Sequence, residues 1–199
     1  QSRKEYLSLN IEFLFDELTF CNIGNPQEFH QKPITYFREV LSCALNPALI
    51  DNPSINPDAR NRAKAVLKEI ISTGSYTHSL GIPLVRANVC KYIARMDKVP
   101  EPKLDEIFLT EGASQGVHLL FSTLIMDKND AIMIPIPQYP LYTASIALNG
   151  GSTAPYYLNE SKGWQLDLEE LESSIKKARS EGKNIKSIVI INPGNPTGS

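Results

Sequence analysis

The sequence predicts an α/β fold in which helices flank a mostly parallel β-sheet. From residue 104 onward, short apolar runs of strand length alternate with segments that have helical periodicity. This alternation is typical of βαβ units. The composition, 42% hydrophobic and 21% charged over 199 residues, is that of an ordinary globular chain with a packed core.

The first hundred residues are predicted to be irregular and then helical. Apolar residues recur at helical spacing in 34–45, and a Pro/Asn-rich break follows. A second helix is predicted over 59–71 and is stopped by Gly74. A third is predicted over 82–96, with Pro83 in its first turn, where a proline is well tolerated.

The remaining residues are predicted to form four strands and three helices. The predicted strands are 107–109, 131–134, 153–157 and 185–191. The predicted helices are 112–126, 139–148 and 166–180. Ligands of such sheets bind beyond the carboxyl ends of the strands, so the strand-to-helix turns are the places to look for a site. The last strand stands at the end of the sequence without a covering helix, which predicts a longer protein.

Charge, hydropathy and cysteine content exclude several classes of protein. The formal net charge is −2 without a basic block, which argues against nucleic-acid binding. The longest nearly apolar runs, 119–126 and 131–137, are far below the ~20 residues that span a bilayer. The three cysteines are few and widely separated, which indicates reduced thiols in an intracellular protein rather than a disulfide framework or a metal site.

The turn at 110–116, Thr-Glu-Gly-Ala-Ser-Gln-Gly, is the first candidate site. Its small residues let the backbone close on a ligand, and the N–H groups at a helix start attract an anion. Ser114 adds a hydroxyl donor. Alternatively, Ser114 only caps the helix, which is common for serine at such places.

The turn at 135–142, Pro-Ile-Pro-Gln-Tyr-Pro-Leu-Tyr, is the second. Two prolines stiffen the backbone around Tyr139, and a stiff aromatic suits stacking on a flat ring. The alternative is a proline-rich loop whose tyrosines pack on the core.

Two more turns are polar. In 195–198, Asn-Pro-Thr-Gly, the Asn195 amide could donate to a ring hydroxyl, or the motif is plain turn punctuation. The turn 74–81, Gly-Ser-Tyr-Thr-His-Ser-Leu-Gly, lies between two helices and could be solvated loop. The histidines, His30, His78 and His118, have no companions at ligand spacing, so no metal is assigned.

The order and spacing of the four turns resemble the fold-type I, pyridoxal-phosphate-dependent aminotransferases, over roughly residues 22–199. Three stretches, 135–151, 163–168 and 189–198, are similar to the alanine aminotransferase branch. The resemblance implies the aspartate aminotransferase-like fold, an α/β fold that this chain contains only in part. It also implies the cofactor pyridoxal 5'-phosphate.

The resemblance also implies a role for each matching residue. Ala113, Ser114 and Gln115 would bind the cofactor phosphate. Tyr139 would stack on the pyridine ring, and Asn195 would hydrogen-bond its phenolic oxygen. Tyr76 would reach the phosphate held by a neighbouring subunit of a homodimer, and Ile23 and Gly24 would cover the substrate near its carboxylate.

The implied activity transfers the amino group of L-alanine to 2-oxoglutarate, giving pyruvate and L-glutamate. The family's Schiff-base lysine, its ring-binding aspartate and its main carboxylate-binding arginine would lie downstream. No catalytic residue is therefore expected in this chain, and residues 1–199 alone are expected to be inactive. The setting would be the cytoplasm or the mitochondrion, with no membrane or nucleic-acid partner.

Three alternatives stay open from the sequence. The chain could come from another fold-type I enzyme, such as an aromatic or aspartate aminotransferase or a lyase, because the turns are common to them. It could be a non-catalytic cofactor-binding module, or a fragment that acts only by pairing with the complete subunit. The expected division is residues 1–50 as part of a small domain, 51–103 as a helical dimer-contacting region, and 104–199 as the first part of the cofactor domain.

Overall fold

A computed structural model describes residues 24–70, 73, 74 and 76–199. The chain divides into two compact units, residues 1–76 and 77–199. The three-part division expected from the sequence remains a proposal. None of the helices in the described ranges is both long and apolar enough to cross a membrane.

The described part of the first unit consists of two helices and a short 3-10 turn. Helix α1 spans Thr35–Leu45, the 3-10 turn spans Pro47–Asp51, and helix α2 spans Pro57–Glu69. Asn56 caps α2 by accepting a hydrogen bond from the Asp58 N–H at 2.8 Å. The helices pack through small buried side chains, which let their backbones approach closely. These side chains are Cys43, Ala44, Ala59 and Ala63.

The second unit contains four α-helices and a three-stranded sheet. The helices are α3 (Pro83–Asp97), α4 (Ala113–Leu124), α5 (Leu141–Leu148) and α6 (Leu168–Ser180). The strands are β1 (Asp130–Ile136), β2 (Ser152–Tyr157) and β3 (Asn184–Ile188). All pairings are parallel, in the order β2-β1-β3. The α/β class and the parallel sheet predicted from the sequence are therefore confirmed.

Side chains alternate between the two faces of the central strand and form two separate cores. On one face, Ile132 and Ile134 pack with Phe121 and Ile125, at the end of α4, and with Ile146 of α5. On the other, Ala131 and Met133 pack with β2 and with Ala178 of α6. Strand β1 is thus buried on both faces, which explains its almost uninterrupted apolar sequence.

Asp130 anchors the beginning of the sheet. Its carboxylate accepts hydrogen bonds from the Met126 N–H at 2.9 Å and the Asn184 amide at 2.8 Å, and Lys186 lies 3.3 Å away. The Met126 N–H, the amide and the lysine together lower the pKa of Asp130, although burial opposes them. These contacts join the loop before β1 to β3.

Two of the four predicted strands differ from the structure. Residues 107–109 were predicted as a strand, but they do not form one. The backbone there makes one hydrogen bond to a distant segment, from the Leu109 N–H to the Leu80 carbonyl at 3.0 Å. Strand β3 ends at Ile188 instead of residue 191. Its neighbour β1 carries Pro135, which has no N–H to continue the ladder.

Candidate functional site

Helix α4 begins at the small-residue turn, and its first turn is open to a ligand. The N-cap is Gly112, with φ 87° and ψ 172°, a backbone conformation in which glycine is strongly favoured. Ala113, Ser114 and Gln115 follow as the first three helical residues and are exposed. The N–H groups of a first helical turn have no partner within the helix. This end of α4 therefore offers consecutive backbone donors at the positive pole of a 12-residue helix.

The alternative that Ser114 caps α4 is wrong. Ser114 lies two residues inside the helix, and no side chain makes a capping hydrogen bond there. The neighbouring Thr110 hydroxyl is used instead to brace the turn, since it donates to the Gly112 carbonyl at 2.9 Å. Ser114 stands instead in the first turn of the helix, and it is exposed.

The two tyrosines of the second turn have different surroundings. Tyr142, in the first turn of α5, is partly buried and packs against the core shared by α4, α5 and β1. Tyr139 is 47% exposed, and Pro140 directly after it is the N-cap of α5. The Ile136–Pro137 bond before it is cis. The core-packing alternative thus applies to Tyr142, and Tyr139 presents its ring at the end of β1.

Gln138, next to Tyr139, carries a buried amide oxygen without a hydrogen-bond partner among the described residues. A buried polar atom without a partner costs about 1–3 kcal/mol, so native proteins rarely keep one. Its partner is therefore expected from a bound molecule or from another part of the protein. Sequence reasoning missed this residue, because a glutamine between a proline and a tyrosine carries no signal of burial.

The asparagine turn after β3 is closed by its own hydrogen bonds. The Gly194 N–H donates to the Ser199 carbonyl at 2.8 Å, and the Gly198 N–H donates to the Gly194 carbonyl at 2.7 Å. The Asn192–Pro193 and Asn195–Pro196 bonds are both cis. Asn195 is exposed within this closed turn.

The topology places these three turns at one edge of the sheet. Strands β1 and β3 are parallel neighbours, so Tyr139 and Asn195 both follow carboxyl ends. Helix α4 leads into the amino end of β1 through a short loop and packs along its face through Val117, Phe121 and Ile125. It therefore runs back over ~18 Å, and its first turn lies toward the same carboxyl edge.

A polar contact between two side chains also holds α4 beside α5. Ser145 is fully buried, and its hydroxyl lies 3.2 Å from the His118 Nδ1, one helical turn beyond Ser114. His78 is also used locally, because its Nδ1 accepts a hydrogen bond from the Leu80 N–H at 3.1 Å. The described residues contain no group of three or more side chains placed to hold a metal ion.

A cavity of about 240 Å³ lies near this edge, beside Tyr156 and Leu158 and against Trp164. It is lined by Pro135 of β1, by Tyr156 of β2 and by residues that follow β2 and β3, but not by Ser114, Tyr139 or Asn195. Those three residues lie on the open surface of the unit instead. The cavity is thus separate from the candidate site.

The other predicted site residues belong to the first unit. Tyr76 is 95% exposed, and Gly24 is exposed with no atom near the place of a Cβ. Ile23 lies outside the described residues. The roles expected for these three residues remain proposals.

Comparison with known proteins gives a consistent family. Residues 50–199 match the family model of aminotransferase class I and II. Alanine aminotransferase 2 of Panicum miliaceum is 47% identical over 190 residues, which are 92% of this chain and 39% of the relative. Glutamate–glyoxylate aminotransferase 2 of Arabidopsis thaliana is 45% identical over 188 residues, which are 92% of this chain and 39% of that protein.

Solved structures give the same result for the fold. An alanine aminotransferase from Pyrococcus furiosus superposes with a TM-score of 0.66 at 26% identity, covering 89% of this chain and 37% of that one. This chain therefore has part of the aspartate aminotransferase-like fold. It spans less than two fifths of the length of these relatives.

Proposed function

Since this chain belongs to the class I and II aminotransferase family, we propose that the complete protein transfers the amino group of L-alanine to 2-oxoglutarate. The products would be pyruvate and L-glutamate. The family depends in general on pyridoxal 5'-phosphate, and we propose that cofactor here.

One observation carries the proposal: the turns that bear Ser114, Tyr139 and Asn195 lie toward the same edge of a parallel sheet. They come from separate parts of the chain, before β1, after β1 and after β3. A helix start, a stiff aromatic and an amide are donors and surfaces that suit a phosphate, a flat ring and a ring oxygen.

The residues fit the chemistry of that cofactor. A dianionic phosphate needs several donors and positive potential, and the first turn of α4 supplies both without an acidic side chain in it. The place of a Cβ on Gly112 is open, with no atom within 4 Å. The orphaned amide of Gln138, beside Tyr139, is also consistent with a polar group bound at this edge.

Each residue then has a defined task. The N–H groups of residues 113–115 and the Ser114 hydroxyl would donate to phosphate oxygens and hold that end of the cofactor. Tyr139 would stack on the ring and exclude water from it. Asn195 would donate to the ring oxygen, which would stabilise the deprotonated form of that oxygen. The bound cofactor supplies an electron sink for the carbon that carries the amino group.

The first unit would serve the substrate and the dimer. We propose that Ile23 and Gly24 cover the substrate near its carboxylate. Tyr76 would reach the phosphate held by the other subunit of a homodimer, and its high exposure leaves the ring available for such a contact. The cytoplasm or the mitochondrion is the proposed compartment.

The lysine, the aspartate and the arginine that complete such a site are proposed to lie beyond residue 199. Residues 1–199 would then bind and orient the cofactor and the substrate but would not carry the nucleophile of the reaction. We therefore propose that residues 1–199 alone are inactive.

The choice of amino acceptor has a specific rival. The relatives include an enzyme named for glutamate and glyoxylate, at an identity close to that of the alanine enzyme. Glyoxylate is smaller than 2-oxoglutarate and has one carboxylate fewer. Acceptor choice would thus depend on the site for the second carboxylate.

A substrate panel on the complete protein tests the proposal. L-alanine, L-aspartate, L-tyrosine and a methionine-derived lyase substrate are each offered with 2-oxoglutarate, and alanine is also offered with glyoxylate. We expect alanine with 2-oxoglutarate to give the highest kcat/KM, by at least about tenfold, or ~1.4 kcal/mol. Preference for aspartate or tyrosine, or an elimination product, would assign the protein to another branch. Preference for glyoxylate would favour the rival acceptor.

A further inference from the structure

Tyr156 stands out as a polar group that the candidate site does not use. It is 1% exposed, in β2, and its hydroxyl donates to the Val189 carbonyl at 2.7 Å. Val189 directly follows the last residue of β3, and β2 and β3 lie on opposite sides of the central strand β1. The Tyr156 side chain therefore reaches across β1 to the end of β3. Burial raises the pKa of Tyr156, which keeps the hydroxyl protonated as a donor.

The register explains why Val189 needs this donor. Its N–H donates to the Met133 carbonyl at 2.8 Å, and Met133 lies opposite Ile188. In a regular parallel ladder the Val189 carbonyl would accept next from the N–H two residues beyond Met133. That residue is Pro135, which has no N–H. The Tyr156 hydroxyl therefore supplies the Val189 carbonyl with the donor that Pro135 lacks.

This bond holds the chain where it leaves the sheet for the asparagine turn. Val189 is fixed by its N–H on β1 and by its carbonyl on Tyr156, and its side chain packs against the core on the α4 face. The turn beyond it is closed by its own Gly194 and Gly198 bonds. Because the turn is internally bonded, its placement depends on its attachment to the sheet.

We propose that Tyr156 is a positioning residue that, by replacing the ladder bond lost at Pro135, sets the distance of Asn195 from the cofactor ring oxygen. The inference rests on the proposed function, because Asn195 has a ring oxygen to contact only in a cofactor-binding enzyme. Loss of the hydroxyl weakens donation to that oxygen and makes it more basic.

The test is a pH titration of the visible absorption of the cofactor bound to the complete enzyme. In Tyr156→Phe, which keeps the ring and removes the hydroxyl, the midpoint is expected to rise by about half a pH unit, roughly a threefold change in the proton equilibrium. The matched control is Tyr157→Phe, next in the same strand and 58% exposed, which is expected to titrate like the wild type.

A second variant tests the ladder argument by rescue. Pro135→Ala restores an N–H opposite the Val189 carbonyl. In that background, adding Tyr156→Phe is therefore expected to shift the titration midpoint less than Tyr156→Phe shifts it in the wild type. A double variant that keeps the full shift of Tyr156→Phe would overturn the inference. Amide exchange of the 189–199 peptide gives an independent readout and should become faster in Tyr156→Phe. Unchanged exchange there would likewise overturn it.

Asn195→Ala distinguishes a failure of the Tyr156 positioning role from a failure of the proposed function. If Asn195→Ala moves the midpoint and Tyr156→Phe does not, the positioning role is wrong and the proposed function stands. If the wild-type enzyme binds no cofactor, or Asn195→Ala leaves the midpoint in place, the proposed contact of Asn195 itself fails.

Discussion

A protein made of residues 1–199 alone is expected to form no L-glutamate above background from L-alanine and 2-oxoglutarate. In the proposed site, the described residues would provide donors for a phosphate and a surface for a ring, and the nucleophile is proposed to lie downstream. Without a covalent partner for the cofactor, the reaction loses the group that is proposed to move its proton. The expected loss is therefore complete rather than partial.

The measurement is glutamate production over many turnovers, with added pyridoxal 5'-phosphate and with the complete protein at equal concentration as the positive control. The segment exposes large apolar side chains, among them Phe108, Leu120 and Ile190, so a solubilising fusion partner is needed. Its circular dichroism spectrum would show whether the helices form. Sustained glutamate production that scales with the amount of segment would contradict the placement of the lysine.

Replacing Gly81 with alanine is expected to destabilise the complete enzyme strongly. Gly81 has φ 103°, and an added Cβ would lie 2.5 Å from the Leu109 Cδ1 and 2.8 Å from its Cβ. The surroundings cannot easily yield, because the Leu109 N–H is bonded to the Leu80 carbonyl and the buried Arg86 guanidinium donates to the Gly81 carbonyl at 3.0 Å. Backbone strain and overpacking together should cost about 2–5 kcal/mol.

Gly150→Ala is the matched control for this substitution. Gly150 also has a positive φ, 73°, but no atom lies within 4 Å of the place of its Cβ. It should therefore lose only the ~1–2 kcal/mol of left-handed strain. Urea denaturation of both variants measures the difference, and equal losses would show that the close approach of Gly81 to Leu109 is absent in solution.

Most helices and the central strand could be predicted from the sequence, because their signals are local. Helix 82–96 was predicted with Pro83 in its first turn, and α3 spans Pro83–Asp97. The prediction of a strand at 107–109 was wrong, because three apolar residues indicate an extended backbone but do not indicate whether a partner strand lies beside it. The early end of β3 depends on Pro135 in another strand, so no local pattern could show it.

Which turns form the candidate site was inferred from the sequence, and the roles of its residues remain proposals. The positions of its three turns follow from the order of strands and helices, and they emerged from sequence together with a family resemblance. The cap alternative at Ser114 could be settled only by the helix start, since Gly112 and Ser114 are both plausible caps. Tyr156 and Gln138 were not identified from the sequence. The hydroxyl of Tyr156 bonds to a residue 33 positions away, and Gln138 is distinguished by the burial of its amide oxygen.

The central claim is that Ser114, Tyr139 and Asn195 hold one cofactor together. Its most direct test is the dissociation constant of pyridoxal 5'-phosphate from the apo form of the complete enzyme, compared with the triple variant Ser114→Ala, Tyr139→Ala, Asn195→Ala. Two hydrogen bonds and one aromatic contact together amount to about 3 kcal/mol, so binding should weaken roughly 100-fold.

The control removes the same residue types elsewhere in the second unit, as Ser180→Ala, Tyr157→Ala and Asn129→Ala, and is expected to bind like the wild type. An affinity of the Ser114, Tyr139 and Asn195 variant equal to that of this control would contradict the account.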